Sequence, residues 1–377
     1  MGEETDGRVC KSVEYINKIH LNLKGLKKEE VEKLLQAIRD CRRIVEAGEG
    51  RSGSALRIGI RGSNKRTFHE EDSSWRWRNI TEAAREFEQK RGKTLLLINS
   101  GSGDTASPKE MAKDLRAFIN IDKETRSQKF IICTVTSHPE AEIAQQCDIV
   151  VELKGREEGK KELNPHESGL IGDLFELASM VLFRMIKEAI NNDLSVEEVL
   201  AAIEKEMKTI GKMIDNYIVS EHYQKLVEET ATRQRIIIGG RGPDKQVGEI
   251  TIIRMLHVNT FFNREAWPTG PLPPGPKPGD ILVLISFSGE TKSTLEWAAN
   301  YRKARGIIFS IVGTPKSTLS DPKESNSFVL EVPIEDFYVR AVFLLSPLAG
   351  GVIEIFTSCG IPVPEEIIRI LGHSKTQ

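Results

Sequence analysis

The sequence predicts an α/β protein with two tandem, doubly wound parallel-sheet domains joined by connecting helices. Runs of branched apolar residues alternate with helical patterns, which is typical of parallel strands linked by crossover helices. The chain also repeats itself. The pattern S-x-S-G-[DE]-T follows an apolar run twice, once from Ser100 in LLLINSGSGDTASPKEMA and once from Ser286 in ILVLISFSGETKSTLEWA.

The sequence around the two motifs repeats as well. RRIVEAGEGRSGSAL (42–56) resembles RQRIIIGGRGPDKQV (233–247), and each indicates a strand followed by a glycine-rich turn. KFIICTVTSHPE matches GIIFSIVGTPKS, and CDIVVELKG matches NSFVLEVPI. Each half therefore predicts the order strand, helix, strand, helix, strand, turn, strand, with the S-x-S-G motif after the second strand.

Helical patterns flank and separate the halves. Residues 27–48 and 168–192 carry apolar residues at helical spacing, and another helix begins at Ser195, where Glu198 completes a capping box. These patterns predict four segments: an N-terminal helical extension (1–41), a first domain (42–195), connecting helices (196–229) and a second domain (230–377).

The composition is that of a soluble globular protein. The 377 residues suffice for two domains, 39% are hydrophobic and 29% charged, and the net charge of −2 argues against a nucleic-acid partner. The apolar runs fall far below the ~18 residues of a membrane helix, so no membrane partner is predicted. Five scattered cysteines without a CxxC, and a polar N-terminus MGEETDGRVC, predict a reducing, cytoplasmic location.

The repeated motif places hydroxyl side chains at the carboxyl end of a parallel strand, where open sheets bind ligands. The helix that follows presents N–H groups and its positive dipole end. No Walker lysine is present, which disfavours a nucleoside triphosphate and favours a phosphate ester. A plain helix N-cap is the alternative for one copy, but two matching copies favour phosphate binding by the hydroxyls of Ser100, Ser102, Thr105, Ser286, Ser288 and Thr291.

Two further groups have open interpretations. Arg51 and Ser52, in the turn after the first strand, add a second anion contact or form a tight turn. His69 lies near three acids in TFHEEDSSWRWR, but no second ligand cluster supports metal binding, and a solvated loop is the preferred interpretation. No metal and no cofactor are predicted.

Together, these motifs resemble the sugar isomerase (SIS) domain family, in tandem and over nearly the whole chain. The resemblance implies flavodoxin-like, five-stranded parallel sheets that bind phosphosugars. It is greatest for 3-hexulose-6-phosphate isomerases and for phosphoglucose/phosphomannose isomerases. The first half keeps the glycine-rich GRSG (50–53) of the former, whereas the second half keeps the helical segment RMLH (254–257), close to their R-L-M-H.

The resemblance also implies the catalytic groups. The family pattern G-x-x-F-E matches residues 172–176 and assigns the glutamate to Glu176, while RMLH assigns a histidine to His257. Aldose–ketose isomerisation moves a proton between C1 and C2 through an enediol, which requires a base and a second group that opens the ring or shuttles protons. We expect a composite site that takes Glu176 from one half or subunit and His257 from the other. The alternatives are a boundary glutamate and a histidine near a helix C-terminus.

Two functions are compatible with the sequence. The first is a phosphosugar isomerase that interconverts an aldose and a ketose 6-phosphate. The alternative is a non-catalytic phosphosugar-binding regulatory protein, although no helix-turn-helix domain is found before residue 42. A phosphorylated sugar is the expected ligand in both cases, the two halves are expected to pack as a pseudo-dimer, and a homodimer is possible.

Overall fold

The computed structural model describes residues 8–155, 171–270 and 274–364. The chain divides into two units. The first unit comprises the described residues of 19–156 and 175–206, and the second comprises those of 1–18, 157–174 and 207–377. Each unit contains one five-stranded sheet, so the predicted duplication is present in the structure.

The first sheet has the strand order β2-β1-β3-β4-β5, and all neighbouring strands are parallel. The central strand β3 is buried along almost its whole length because helices cover both faces of the sheet. The strands are β1 (Cys41–Ala47), β2 (Arg66–His69), β3 (Lys93–Asn99), β4 (Phe130–Thr136) and β5 (Ile149–Glu152).

The second sheet repeats this topology as β7-β6-β8-β9-β10, again with parallel neighbours. Its central strand β8 is buried at every residue. The strands are β6 (Arg235–Gly239), β7 (Glu265–Pro268), β8 (Ile281–Ser286), β9 (Ile307–Val312) and β10 (Asn326–Val329). The predicted α/β fold with two tandem parallel-sheet domains is therefore confirmed.

The residue pattern misses one strand in each half. The strands β2 and β7 are edge strands of four residues each, with the sequences RTFH and EAWP. Exposed residues make up half of β2 and most of β7, so neither forms an apolar run. The fifth strand that the family resemblance implies is present in both sheets.

The helix predicted over residues 27–48 is too long. Helix α2 ends at Asp40, because Cys41 adopts an extended conformation with φ −78° and ψ 151°. The next residues form β1, in which Ile44 pairs with Thr67 on one side and Leu95 on the other. Apolar residues at 41, 44, 45 and 47 fit a helical period, but burial between two strands determines their conformation.

The remaining helices connect and cover the strands. Ser195 and Glu198 form the predicted capping box: each backbone N–H donates to the other residue's side chain, at 2.7 and 3.3 Å. The helices are α1 (Glu14–Lys24), α2 (Lys28–Asp40), α3 (Gly50–Ile60), α4 (Ile80–Glu88), α5 (Ala106–Ile121), α6 (Lys123–Arg126), α7 (Glu142–Gln145), α8 (Ile171–Asn192), α9 (Val196–Ile218), α10 (Glu221–Thr232), α11 (Pro243–Phe261), α12 (Lys292–Lys303), α13 (Ile334–Leu345) and α14 (Leu348–Ser358).

One stretch is long and apolar enough to cross a membrane by length and composition. It runs over Ile334–Ser358 and has a mean hydropathy of 1.7. However, 78% of its apolar window is buried inside the protein, as in the core helix of a soluble protein. Burial accounts for its apolar character, since Phe337, Phe343 and Phe356 are among the largest fully buried side chains.

Candidate functional site

The first S-x-S-G motif forms a tight loop between β3 and α5. Ser100 Oγ lies 2.9 Å from Thr105 Oγ1, and Ser102 Oγ accepts a hydrogen bond from the backbone N–H of Asp104 at 3.3 Å. Gly103 has φ +65°, and a Cβ at this position would lie 2.5 Å from a neighbouring alanine methyl carbon. The three predicted hydroxyls therefore share one turn at the carboxyl edge of the sheet.

Helix α5 begins directly after this loop and already holds a negative group at its first turn. Glu49 Oε1 accepts a hydrogen bond from the backbone N–H of Ser107 at 3.0 Å. The amino end of a helix stabilises anions because its first N–H groups have no partner within the helix. This end of the helix therefore favours a negative group, and the Glu49 carboxylate is the one that it holds in the structure.

The predicted catalytic glutamate lies beside the first turn of α3, the helix that follows β1. Glu176 Oε1, on α8, is 3.4 Å from Arg51 Nη2 and 3.4 Å from Ser52 Oγ. A Cβ on Gly53 would lie 2.4 Å from the carbonyl oxygen of Gly48, so glycine is needed for the turn to pack this closely. The structure thus brings Arg51, Ser52 and Glu176 together, and the ion pair stabilises the ionised carboxylate that a general base requires.

Asn99 connects the loop, the turn and the helix. Its Nδ2 donates to Ser52 O at 2.8 Å and to Ser179 Oγ at 3.0 Å. Two residues further on, Gly101 lies against the ring of Phe175, where a Cβ would approach Cδ1 to 3.0 Å. The hydroxyl loop and the segment that carries the glutamate are therefore in direct contact.

The second S-x-S-G motif reproduces the loop. Ser286 Oγ lies 3.5 Å from Thr291 Oγ1, and Ser288 Oγ accepts from the backbone N–H of Glu290 at 3.2 Å. Gly289 has φ +64°, as its counterpart in the first loop has φ +65°. The six residues of each loop also follow the same order of buried and exposed positions. Both loops thus offer the same arrangement of hydroxyls.

The surroundings of the two loops differ. In the second loop Phe287 replaces Gly101, and its ring packs against Phe337 at a centroid distance of 5.3 Å. Tyr338 follows Phe337 as Glu176 follows Phe175, so the two residues correspond in sequence. At this position the second half has a phenol and the first half a carboxylate.

The predicted histidine lies in the second unit. His257 is half-buried on α11, one turn before the helix ends, and Arg254 on the same helix is buried. The arginine of the second glycine-rich turn, Arg241, donates to Ser293 Oγ at 3.1 Å and lies 4.6 Å from the ring centroid of Trp297. This arginine thus contacts α12, whereas Arg51 in the first half contacts a carboxylate.

The solvated loop expected at His69 is wrong. His69 is the last residue of β2, is 4% exposed and accepts a hydrogen bond at Nδ1 from the backbone N–H of Glu71 at 3.1 Å. Burial lowers the pKa of its imidazole, and Glu46 pairs with it in register on β1. The described part of the chain contains no cluster of three His, Cys, Asp or Glu residues that could hold a metal ion.

A second histidine reaches the first loop, and the motifs did not identify it. His138, in the T-S-H-P-E segment after β4, has Nδ1 3.0 Å from the carbonyl oxygen of Gly101. Nδ1 also lies 3.2 Å from Ser137 Oγ. A proton on Nδ1 lets the ring donate to the carbonyl oxygen, which only accepts. The sequence could have identified His138 by its position after β4, because the carboxyl ends of β3 and β4 meet at the same edge of a parallel sheet.

Comparison with known proteins agrees with this architecture. No model of a known protein family matches the sequence. A stretch of 103 residues is 27% identical to the 3-hexulose-6-phosphate isomerase of Bacillus subtilis, which corresponds to 27% of this chain and 54% of that protein. The chain thus spans about half the length of the curated relative that it matches.

Solved structures share the fold over almost the whole chain. The C-terminal domain of glucosamine-fructose-6-phosphate aminotransferase from Francisella tularensis matches 95% of this chain and 98% of its own, with a TM-score of 0.57 and 13% identity. A Silicibacter pomeroyi protein assigned as a phosphosugar isomerase matches 92% of this chain and 97% of its own, with a TM-score of 0.59 and 12% identity. A protein from Clostridium novyi, assigned as a tagatose-6-phosphate ketose/aldose isomerase, matches 91% of this chain and 90% of its own. Its TM-score is 0.53 and its sequence identity is 13%. The chain is therefore a protein with two tandem domains of the sugar isomerase (SIS) fold, as its motifs predicted.

Proposed function

We propose that the protein is a phosphosugar isomerase that interconverts an aldose and a ketose 6-phosphate. The observation that supports this most strongly is the placement of Glu176, paired with Arg51, next to the turn and loop that offer hydroxyls to a phosphate. A carboxylate held beside a phosphate cradle matches what enediol chemistry requires. The resemblance to a 3-hexulose-6-phosphate isomerase favours a ketose 6-phosphate as the substrate.

In the proposed reaction, Ser100, Ser102 and Thr105 bind the phosphate oxygens together with the amino end of α5. Glu176 removes the proton from the carbon next to the carbonyl group, and the electron pair forms the carbon–carbon double bond of the enediol. It then returns the proton to the neighbouring carbon. Arg51 keeps the carboxylate charged and oriented, and Ser52 donates to it at 3.4 Å.

A second group must open the sugar ring or move a proton between the two oxygens. The family resemblance assigns this work to His257 on α11. We propose ring opening as its role, since an imidazole can protonate the ring oxygen near neutral pH.

The second loop is proposed to bind a sugar phosphate without converting it. Its hydroxyls match those of the first loop, but Tyr338 stands where a base would be needed. This observation supports the alternative function, phosphosugar binding without catalysis, for the second half of the chain only.

The test uses Glu176→Gln, which removes the base and keeps the shape of the side chain. We expect it to abolish conversion of sugar phosphates while the affinity for them stays within about threefold of the wild type. Conversion and deuterium exchange at C1 and C2 are followed by NMR on 3-hexulose, fructose and glucosamine 6-phosphates and on ribulose 5-phosphate.

The matched control is Tyr338→Phe, at the corresponding position of the second half. It should leave the turnover number unchanged, because no proton transfer is assigned to Tyr338. Wild-type turnover by Glu176→Gln would refute the assignment of the base. Tight binding of a sugar phosphate by the wild type, with neither exchange nor conversion, would instead establish the binding function for the whole chain.

A further inference from the structure

The structure assigns a second proton-transfer residue to the first unit: we infer that His138 moves the proton between the two oxygens of the substrate. This inference rests on the proposed isomerase function. It starts from the contact that joins the histidine to the hydroxyl loop, the hydrogen bond from Nδ1 to the carbonyl oxygen of Gly101 at 3.0 Å.

The two halves of the chain separate a structural role of this residue from a chemical one. Aligned on Pro139 and Pro315, His138 corresponds to Thr314. Thr314 Oγ1 donates to the carbonyl oxygen of Phe287 at 3.0 Å, which is the same bond to the same loop position. A threonine is therefore sufficient to hold the loop, and the histidine contributes something beyond the shared bond.

What the histidine adds is the second ring nitrogen. When Nδ1 donates to the carbonyl of Gly101, the neutral ring has its lone pair on Nε2. The same carbonyl oxygen also accepts from the backbone N–H and Oγ of Ser137, at 3.2 and 2.6 Å, and Ser137 Oγ lies 3.2 Å from Nδ1. The ring is thus held at the loop in the tautomer that accepts a proton at Nε2 and returns it.

The position of His138 at the first loop supports a role in proton transfer on the substrate. Gly101 contacts the histidine through its carbonyl oxygen and the ring of Phe175 through its Cα, and Phe175 precedes Glu176. The imidazole therefore contacts the same loop residue as Phe175, the neighbour of the proposed base, and all three lie within one unit. In the second unit neither group is present at the matching positions, since Thr314 and Tyr338 replace them together.

The proposed step balances without an added reagent. Glu176 takes the C–H proton, and the electron pair leaves a negative charge on the former carbonyl oxygen of the enediolate. The neutral Nε2 takes the proton from the hydroxyl on the adjacent carbon and gives it to the former carbonyl oxygen. Glu176 returns its proton to the former carbonyl carbon as the new carbonyl forms. His138 ends neutral as it began, and it is a catalytic residue in this scheme.

The experiment uses His138→Thr, which reproduces the bond that Thr314 makes. We expect net conversion to fall about 100-fold or more, the usual contribution of acid–base catalysis. The affinity for the sugar phosphate should stay within about threefold of the wild type. Deuterium exchange at carbon should fall less than conversion, so the ratio of exchange to conversion rises, which a purely structural role would not produce.

The reverse substitution, Thr314→His, is the matched control and should leave conversion unchanged, because Tyr338 provides no base. Wild-type conversion by His138→Thr would overturn the inference and leave the isomerase function standing. A wild-type chain that neither exchanges nor converts any of the four sugar phosphates would remove the isomerase function and the inference together.

Discussion

Arg51 and Glu176 form a nearly buried ion pair in which Nη2 lies 3.4 Å from Oε1 and the two side chains are 6% and 11% exposed. The pair joins the first turn of α3 to α8, the helix that carries the proposed base. A buried charge that loses its partner is costly, whereas removing both charges can be nearly neutral. The pair can therefore be tested through stability, independently of any substrate.

We expect Arg51→Met to destabilise the fold by about 3 kcal/mol, because Glu176 loses its cation in a poorly solvated position. The double variant Arg51→Met/Glu176→Leu should recover most of this loss, since neither charge remains buried. Urea denaturation of the two single variants and the double variant gives the coupling free energy. Additive costs would show that the two side chains are not coupled.

The duplicated loops lead to a prediction about stoichiometry. Both present the same hydroxyls, so the wild type should bind two sugar phosphates per chain in isothermal titration calorimetry. Ser100→Ala/Ser102→Ala should lose one site and all turnover. Ser286→Ala/Ser288→Ala should lose the other site and keep the turnover number, because the proposed base, Glu176, lies in the unit of the first loop. Each lost pair of bonds to a charged phosphate is worth about 3 kcal/mol, or about 100-fold in affinity.

A binding ratio of one for the wild type would contradict this prediction. The second loop would then be a structural copy that does not hold phosphate. Loss of turnover in the Ser286→Ala/Ser288→Ala variant would also count against it, because that result would place catalysis at both loops.

Some residues of the candidate site could be predicted from the sequence and others could not. The hydroxyls of both loops could be predicted because a duplicated motif at strand ends needs no knowledge of distant contacts. Asn99 and His138 could not, because their importance depends on hydrogen bonds to Ser52 and Gly101, 47 and 37 residues away. Comparison of the two halves could have indicated both residues. Asn99 corresponds to Ile285 and His138 to Thr314, so a polar or ionisable side chain in the first half has a different counterpart in the second.

The strand β1 shows a second limit. Its apolar residues fit a helical period that continues from α2 as well as the strand predicted from residue 42, and pairing with β2 and β3 decides between the two. Burial has a similar effect on Glu46, in the same strand. A glutamate looks solvated in the sequence, yet Glu46 is 5% exposed, and burial raises the pKa of its carboxyl group to about 7.

The raised pKa of Glu46 predicts a pH dependence of stability. A carboxyl group whose pKa is higher in the folded state stabilises the fold below its unfolded value of 4.5. This contribution disappears as the pH rises through about 7, and the total change is about 3 kcal/mol. Glu46→Gln should therefore gain stability relative to the wild type between pH 5 and pH 8. Glu110→Gln, on the exposed side of α5, is the control and should show no such gain.

The lowered pKa of His222, in the second unit, predicts a pH dependence of stability with the opposite sign. Its ring lies among Tyr217, Phe309 and Phe328, with Nδ1 3.2 Å from Tyr217 Oη, and burial lowers the pKa of the imidazole from 6.5 to about 4. The neutral ring is thus favoured in the folded state. Its contribution to stability is complete above pH 6.5 and is lost as the pH falls toward 4, by about 3 kcal/mol in total.

We expect His222→Asn and His222→Phe, neither of which titrates, to gain stability relative to the wild type as the pH falls from 7 to 4.5. The two variants will differ in absolute stability at pH 7, because asparagine and phenylalanine pack differently against the aromatic rings. Their pH dependence should nevertheless be the same. Equilibrium denaturation at several pH values measures both quantities, and a wild-type slope in either variant would mean that another group titrates in this range. Because the Glu46 and His222 contributions change in opposite directions, the wild type should vary less with pH between 4.5 and 7 than either set of variants.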